Sequence, residues 1–216
     1  MANINISWTP VTGATDIDSY EVFVCDGTAT GHFTTGAALQ TKLDAVHAAA
    51  DADKATEIAM LDFDALTFNI PISAPSKILC LGLNYIDHVN EGIFEKQPYP
   101  TIFMRSITSM VAHNQPIIRP TTSVTLDYEA ELALIIGKTS RHLTVENALD
   151  AVAGYSCSND GSVREYQRHT IQWTMGINFD KTGPFGPVFV SADELPAGAQ
   201  GLDICCRLNG QTVQSS

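Results

Sequence analysis

The sequence predicts an α+β fold of mixed, β-rich character, with a small N-terminal α/β domain (residues 1–72) followed by a larger β-rich domain (73–216). Three observations carry this expectation. Residues 126–137, L-D-Y-E-A-E-L-A-L-I-I-G, alternate with the period of two that a strand requires. Short apolar runs bounded by turn residues recur through the second part of the chain. Helical spacing of apolar residues is extended only near the start, at Leu39, Leu43, Val46 and Ala50.

Taken in order, residues 3–8 (Ile4, Ile6, Trp8) and 20–25 (Tyr20, Val22, Val24) read as two strands, with Thr9-Pro10 and Gly13 as turn signals between them. The helical spacing then covers Gly36 to about Asp51, and a weaker helix is expected from Asp53 to Met60. Pro71 and Pro75 make 69–76 linker-like and set the domain boundary. Lys77 to Leu83 is a short apolar run of buried-strand type, and Pro100–Met104 and Met110–Ile118 read as further strands with Arg105 between them. Thr144 is an expected N-cap for a helix to Val152, with Gly154 as its stop. Tyr155 to Asn159 is a strand running into an Asn-Asp-Gly turn, and Ser162 is an expected cap for a helix bearing Arg164, Gln167 and Arg168.

Charge and composition narrow the classes of function. Twenty-four acids against twelve bases give a net charge of −12, which argues against nucleic acid or an anionic membrane surface as a partner. No stretch approaches the about 18 apolar residues of a membrane span, and the N-terminus lacks a charged-then-apolar signal pattern. The five cysteines (Cys25, Cys80, Cys157, Cys205, Cys206) are odd in number and contain no C-x-x-C pair, so reduced thiols are expected. A cytoplasmic location follows as the expectation, with a mitochondrial one still open.

The chemistry-bearing residues lie in four places. In the alternating stretch Glu129 and Glu131 share one strand face, about 7 Å apart. With no Lys or Arg at the alternate positions, either a bound cation compensates them or they line a sheet edge and face water. Asp160, at a strand end, is a third oxygen ligand for such a cation or simply a turn residue. On a helix begun at Asn84, His88 and Glu91 stand three apart and meet on one face. That arrangement is a base with its orienting carboxylate, or else a surface pair. Arg164 and Gln167, also three apart, suit the carboxylate and carbonyl of a small acid, or they are surface residues.

Four segments in order, N-Y-I-D-H-V-N-E, D-Y-E-A-E-L-A-L-I-I-G-K, N-D-G-S-V-R-E-Y-Q and N-F-D-K-T-G-P-F-G-P, resemble the fumarylacetoacetate hydrolase family over about Pro71 to Ser191. The resemblance implies a β-roll catalytic domain, a Mg²⁺ or Mn²⁺ site, a small keto-acid substrate and a homodimer. It implies Glu129, Glu131 and Asp160 as metal ligands, His88 with Glu91 as the pair that activates water, and Arg164 with Gln167 as substrate-binding residues. The family's activities then come into view: hydrolytic carbon–carbon cleavage of a 1,3-dicarbonyl acid such as an acylpyruvate, or decarboxylation or tautomerisation of a β-keto acid such as oxaloacetate.

Two departures from the family pattern matter. Ile177 stands where a G-K-x-F-D motif carries lysine, and losing one charge-stabilising donor typically costs about 10² to 10³ in rate. Family members also continue beyond Asn209-Gly210 into a loop that closes the site. The C-terminal part of that domain is therefore expected to be missing, with its cover supplied by a partner subunit or with the chain a shortened or divergent form. A non-catalytic relative is the third reading these departures suggest.

Overall fold

The computed structural model describes residues 66–86 and 98–216 and, as backbone strands, 2–3, 6–8 and 20–26. Strands β1 (Ala2–Asn3) and β2 (Ile6–Trp8) both pair antiparallel with β3 (Tyr20–Asp26), Trp8 opposite Tyr20. This is the strand pair that alternation and turn residues anticipate. The helices expected at 36–51 and 53–60 lie outside the described residues.

Next come β4 (Ile78–Gly82) and β5 (Thr101–Arg105), an antiparallel pair with Ile78 opposite Arg105 and Cys80 opposite Phe103. After a 3-10 turn, β6 (Met110–Val111) runs parallel to β11 (Gly183–Pro184). Strand β7 (Leu126–Asp127) pairs with β10 (Ser162–Val163), and β8 (Ala130–Ile136) pairs with β9 (Val152–Asn159). Two four-residue helices, α1 (Arg164–Gln167) and α2 (Thr174–Ile177), follow β10. Strand β12 (Val190–Ser191) completes a sheet of order β12-β9-β8. Strands β13 (Asp203–Leu208) and β14 (Gln211–Ser215) extend the sheet begun at the N-terminus, in the order β1-β3-β13-β14. The described fold is thus mixed and β-rich, with few helices.

Its apolar centre joins Ile117, Cys157 of β9 and Cys206 of β13, with Leu126, Tyr128, Ala130 and Leu208 packed against them. Tyr128 and Ala130 belong to the face of the alternating stretch that carries no acid, so its period of two separates core from carboxylates. The four cysteines with described side chains are all free thiols. Among the described residues no helix is long and apolar enough to cross a membrane.

Several local expectations change. On the face of the alternating stretch that carries no acid, Leu134 and Ile136 are exposed, so this apolar face is covered only where it meets the Cys157 core. Likewise β4 alternates, with Leu79 and Leu81 exposed beside Ile102 and Met104 of β5. An apolar run does not reveal whether a second layer lies over it. Only Met110 and Val111 of the run expected at 110–118 are strand.

The helix expected from Thr144 is a 3-10 turn, Ala148–Ala151. Asn147 Oδ1 accepts the Thr144 N–H at 2.8 Å, and Val152 is taken into the β9 ladder opposite Ile136. Gly154 therefore lies inside β9, where a Cβ would come 2.1 Å from the Val190 carbonyl oxygen of β12. That contact is backbone and cannot be relieved by a side-chain rotation. Gly154→Ala is expected to lower stability by roughly 1–3 kcal/mol, measured as a shift in urea midpoint at unchanged m-value.

Candidate functional site

The register of β8 on β9 places the acids. Ala130 lies opposite Asn159 and Glu131 opposite Ser158, and the Asp160 N–H donates to the Glu129 carbonyl at 2.9 Å. Residues directly opposite in an antiparallel pair point to the same side, so Glu129, Glu131 and Asp160 share one face. Asn159 secures this end of the ladder by accepting the Glu129 N–H on Oδ1 at 2.9 Å.

Glu131 is the member that burial affects most. Its carboxyl is pushed up to about 9, first by burial, then by Glu129 and Asp160, while a hydrogen bond with Tyr85 pulls the other way. The Tyr85 hydroxyl also accepts the Leu132 N–H at 3.1 Å, and its own ionisation is pushed up to about 12, mainly by burial and then by Glu131. On β4 the Cys80 thiol is likewise pushed up to about 12, by burial and then by Asp160, with Arg105 opposing. Tyr85 and Cys80 therefore border the acids as neutral groups.

Two arginines answer the other two acids. Arg105 Nε donates to Asp160 Oδ1 at 2.8 Å and Nη2 to the Gly161 carbonyl at 2.7 Å. Its Nη1 reaches Ser109 Oγ at 3.3 Å and Thr182 Oγ1 at 3.4 Å. Arg164 Nη1 donates to Glu129 Oε1 and, at 3.1 Å, to Gln167 Oε1, while Nε donates to Asp127 Oδ2 at 2.8 Å. The short α1 is set over Glu129 by β10, where fully buried Val163 pairs with Leu126, and by the Arg164 N–H on the Thr125 carbonyl at 3.1 Å. Ser162 does not cap α1. It sits in β10 with its hydroxyl on the Asp160 carbonyl at 2.9 Å, and Val163 holds the cap position.

No Lys or Arg stands at the alternate positions of the strand, yet Arg105 and Arg164 reach Asp160 and Glu129 from elsewhere in the fold. Among the described residues no three His, Cys, Asp or Glu side chains form a group arranged to hold a metal ion, since Glu129 and Asp160 are turned onto arginines. The donor chemistry nevertheless fits a hard divalent cation. All three groups offer oxygen, and Glu131 is buried between two like charges, a condition such an ion relieves. His88 and Glu91 lie outside the described residues. Ile177 is fully buried on α2, and Asn178 ties that helix end to β5 by accepting the Ser106 N–H at 2.6 Å and donating to the Met104 carbonyl at 2.9 Å.

The sequence pattern alone does not mark Arg105, Asp127, Tyr85 or Cys80 as site residues. The available signals were a charged residue ending an apolar run for Arg105 and membership of the quoted motifs for Asp127 and Tyr85.

Comparison with known proteins shows the family to which the chain belongs. The family model described as fumarylacetoacetate (FAA) hydrolase C-terminal matches residues 77–216. Oxaloacetate tautomerase FAHD2B, mitochondrial, from Homo sapiens is 37% identical over 164 residues, covering 75% of this chain and 52% of that protein. The chain thus spans about half the length of the curated relatives it matches. The solved 2-hydroxyhepta-2,4-diene-1,7-dioate isomerase from Mycobacterium marinum is 32% identical with a TM-score of 0.58, covering 68% of this chain and 52% of that one. Fumarylacetoacetate hydrolase from psychrophilic Exiguobacterium antarcticum is 28% identical with a TM-score of 0.61, covering 100% of this chain and 75% of that one. With the family match extending over the whole β8–β9 carboxylate face, the chain belongs to the fumarylacetoacetate hydrolase family.

Proposed function

We propose that the chain carries the site of a metal-assisted keto–enol enzyme acting on a small 2-oxo diacid of the oxaloacetate type. The observation that carries this reading is the three-acid face of Glu129, Glu131 and Asp160 set beside the Arg164–Gln167 pair. Two of the relatives above 30% identity are named as a tautomerase and an isomerase, and both names describe moving a proton without breaking the carbon chain.

Glu129, Glu131 and Asp160 would hold Mg²⁺ or Mn²⁺, which when bound supplies positive charge against a developing enolate. Arg164 takes a substrate carboxylate through its planar fork, and the Gln167 amide takes a neighbouring carbonyl. Tyr85 holds Glu131 in place through its hydroxyl. His88, oriented by Glu91, carries the proton between carbon and oxygen. Ile177 offers neither charge nor hydrogen bond, so the positive charge facing the enolate would come from the cation that the three acids would hold.

The test follows the ultraviolet absorbance of enol oxaloacetate with Mg²⁺ or Mn²⁺ and after chelation. Metal-dependent acceleration that is lost in chelator is expected; a rate indifferent to chelator overturns the proposal, and a melting temperature that ignores Mg²⁺ favours a non-catalytic relative. Hydrolytic cleavage of an acylpyruvate is the second reading, favoured by the hydrolase whose structure covers the whole chain. It requires His88 to deprotonate water, so His88→Ala is expected to cut acylpyruvate cleavage about 10²-fold or more, and because His88 serves both readings the substrate separates them: wild-type protein that cleaves an acylpyruvate but does not speed oxaloacetate enolisation favours hydrolysis.

A further inference from the structure

Arg164 is tied to the acids differently from Arg105. The Arg105–Asp160 pair is closed off, with side chains 2% and 8% exposed, and a backbone carbonyl and two hydroxyls complete the arginine's bonds. Arg164 stands at the solvent edge, its partner Asp127 is 43% exposed, and among the described residues its guanidinium bonds, apart from Glu129, go to the side chains of Asp127 and Gln167. From this contrast we infer that Arg164 is the resident cation of the metal-free site. It neutralises Glu129 until a divalent ion displaces it, and the displacement frees its Nη1 donors for a substrate carboxylate.

This inference rests on the metal site proposed above and adds an order of events. A divalent ion held by Glu129 would put a charge of the same sign as the guanidinium on the same carboxylate, so the two would compete. Asp127 keeps its hold on Nε and acts as a tether, so the freed fork swings by a side-chain rotation and stays beside Gln167. Metal and substrate binding are then positively coupled through one side chain. By linkage, each strengthens the other by the same factor.

The experiment measures Mn²⁺ affinity by calorimetry or paramagnetic resonance on the full chain, and oxalate affinity of the Mn²⁺-loaded protein as a probe of the carboxylate subsite. Arg164→Gln is expected to bind Mn²⁺ about tenfold tighter or more, since it removes the competing charge, and to bind oxalate at least about tenfold more weakly. Arg168→Gln, which removes the same charge from an exposed neighbour, is expected to leave both within about twofold. Arg164→Lys keeps a charge but cannot bridge Asp127 and Glu129 together, so its gain in Mn²⁺ affinity is expected to be smaller, and it provides the same readout if the glutamine variant does not fold. Mn²⁺ affinity that is unchanged or lowered in both Arg164 variants overturns the inference and makes Arg164 a structural support of the site. Failure of the wild-type protein and every variant to bind Mn²⁺ overturns the metal site itself, a result distinct from the first.

Discussion

Glu131→Gln is expected to melt higher than the wild-type protein at pH 8 without metal, and its melting temperature is expected no longer to rise with Mg²⁺ or Mn²⁺. The carboxyl is pushed from its ordinary 4.5 up to about 9 by burial and then by Glu129 and Asp160. Between those values the folded chain holds a proton that the unfolded chain has released. Stability therefore falls as pH rises through that window, by up to about 1.4 kcal/mol per unit, and the loss is absent below 4.5. Glutamine has the same shape, stays neutral at every pH, and its carbonyl can keep the Tyr85 hydroxyl bond, so the slope flattens. A divalent ion needs the ionised form, so binding to the wild-type protein near pH 7 is expected to release close to one proton per ion, seen as buffer-dependent heat in calorimetry. Keto–enol activity of the variant is expected to drop by about 10² to 10³. Metal-free stability that is flat from pH 5 to 9 would show that Glu131 is not buried as described.

What could be read from the chain and what could not divides along contact range. The sharing of a face by Glu129 and Glu131 is a local property of an alternating strand, and Asp160 is delivered to them by the next strand in the sheet, one antiparallel pairing away. The arginines come from 55 and 35 residues off, and nothing in the period of the strand encodes their arrival. The same limit explains Leu79 and Leu81, since an apolar run reports a preference for burial without naming the layer that satisfies it. At Thr144 local helix signals were outweighed by strand pairing, which claims Val152 and needs a glycine at 154. Arg164 and Gln167 meet side by side because a single helical turn suffices for that, although α1 is no longer than the turn itself. The His88–Glu91 pair, by contrast, lies outside the described residues, and it enters the proposed chemistry on its spacing and on the resemblance of its motif to the family.

The largest effect on folding is expected at Arg105, where Arg105→Met should cost about 3–5 kcal/mol in urea denaturation. The guanidinium is almost fully enclosed, and its removal leaves Asp160 buried with an uncompensated charge and the Gly161 carbonyl without its donor. The surroundings are shaped around this group. A Cβ on Gly183 would lie 2.0 Å from Arg105 Nη1, so only glycine in β11 admits the arginine head, and Thr182 and Ser109 turn hydroxyls toward it. Lysine can supply the charge but lacks the planar fork that reaches Asp160 and Gly161 together, so Arg105→Lys is expected to cost roughly half as much. If the penalty is chiefly the stranded charge, then adding Asp160→Asn to Arg105→Met should recover part of the loss, giving a coupling of about 1–3 kcal/mol between two residues in contact. Strict additivity of the two substitutions would mean that the packing of the arginine stem, and not its ion pair, holds β5 to the turn at Asp160.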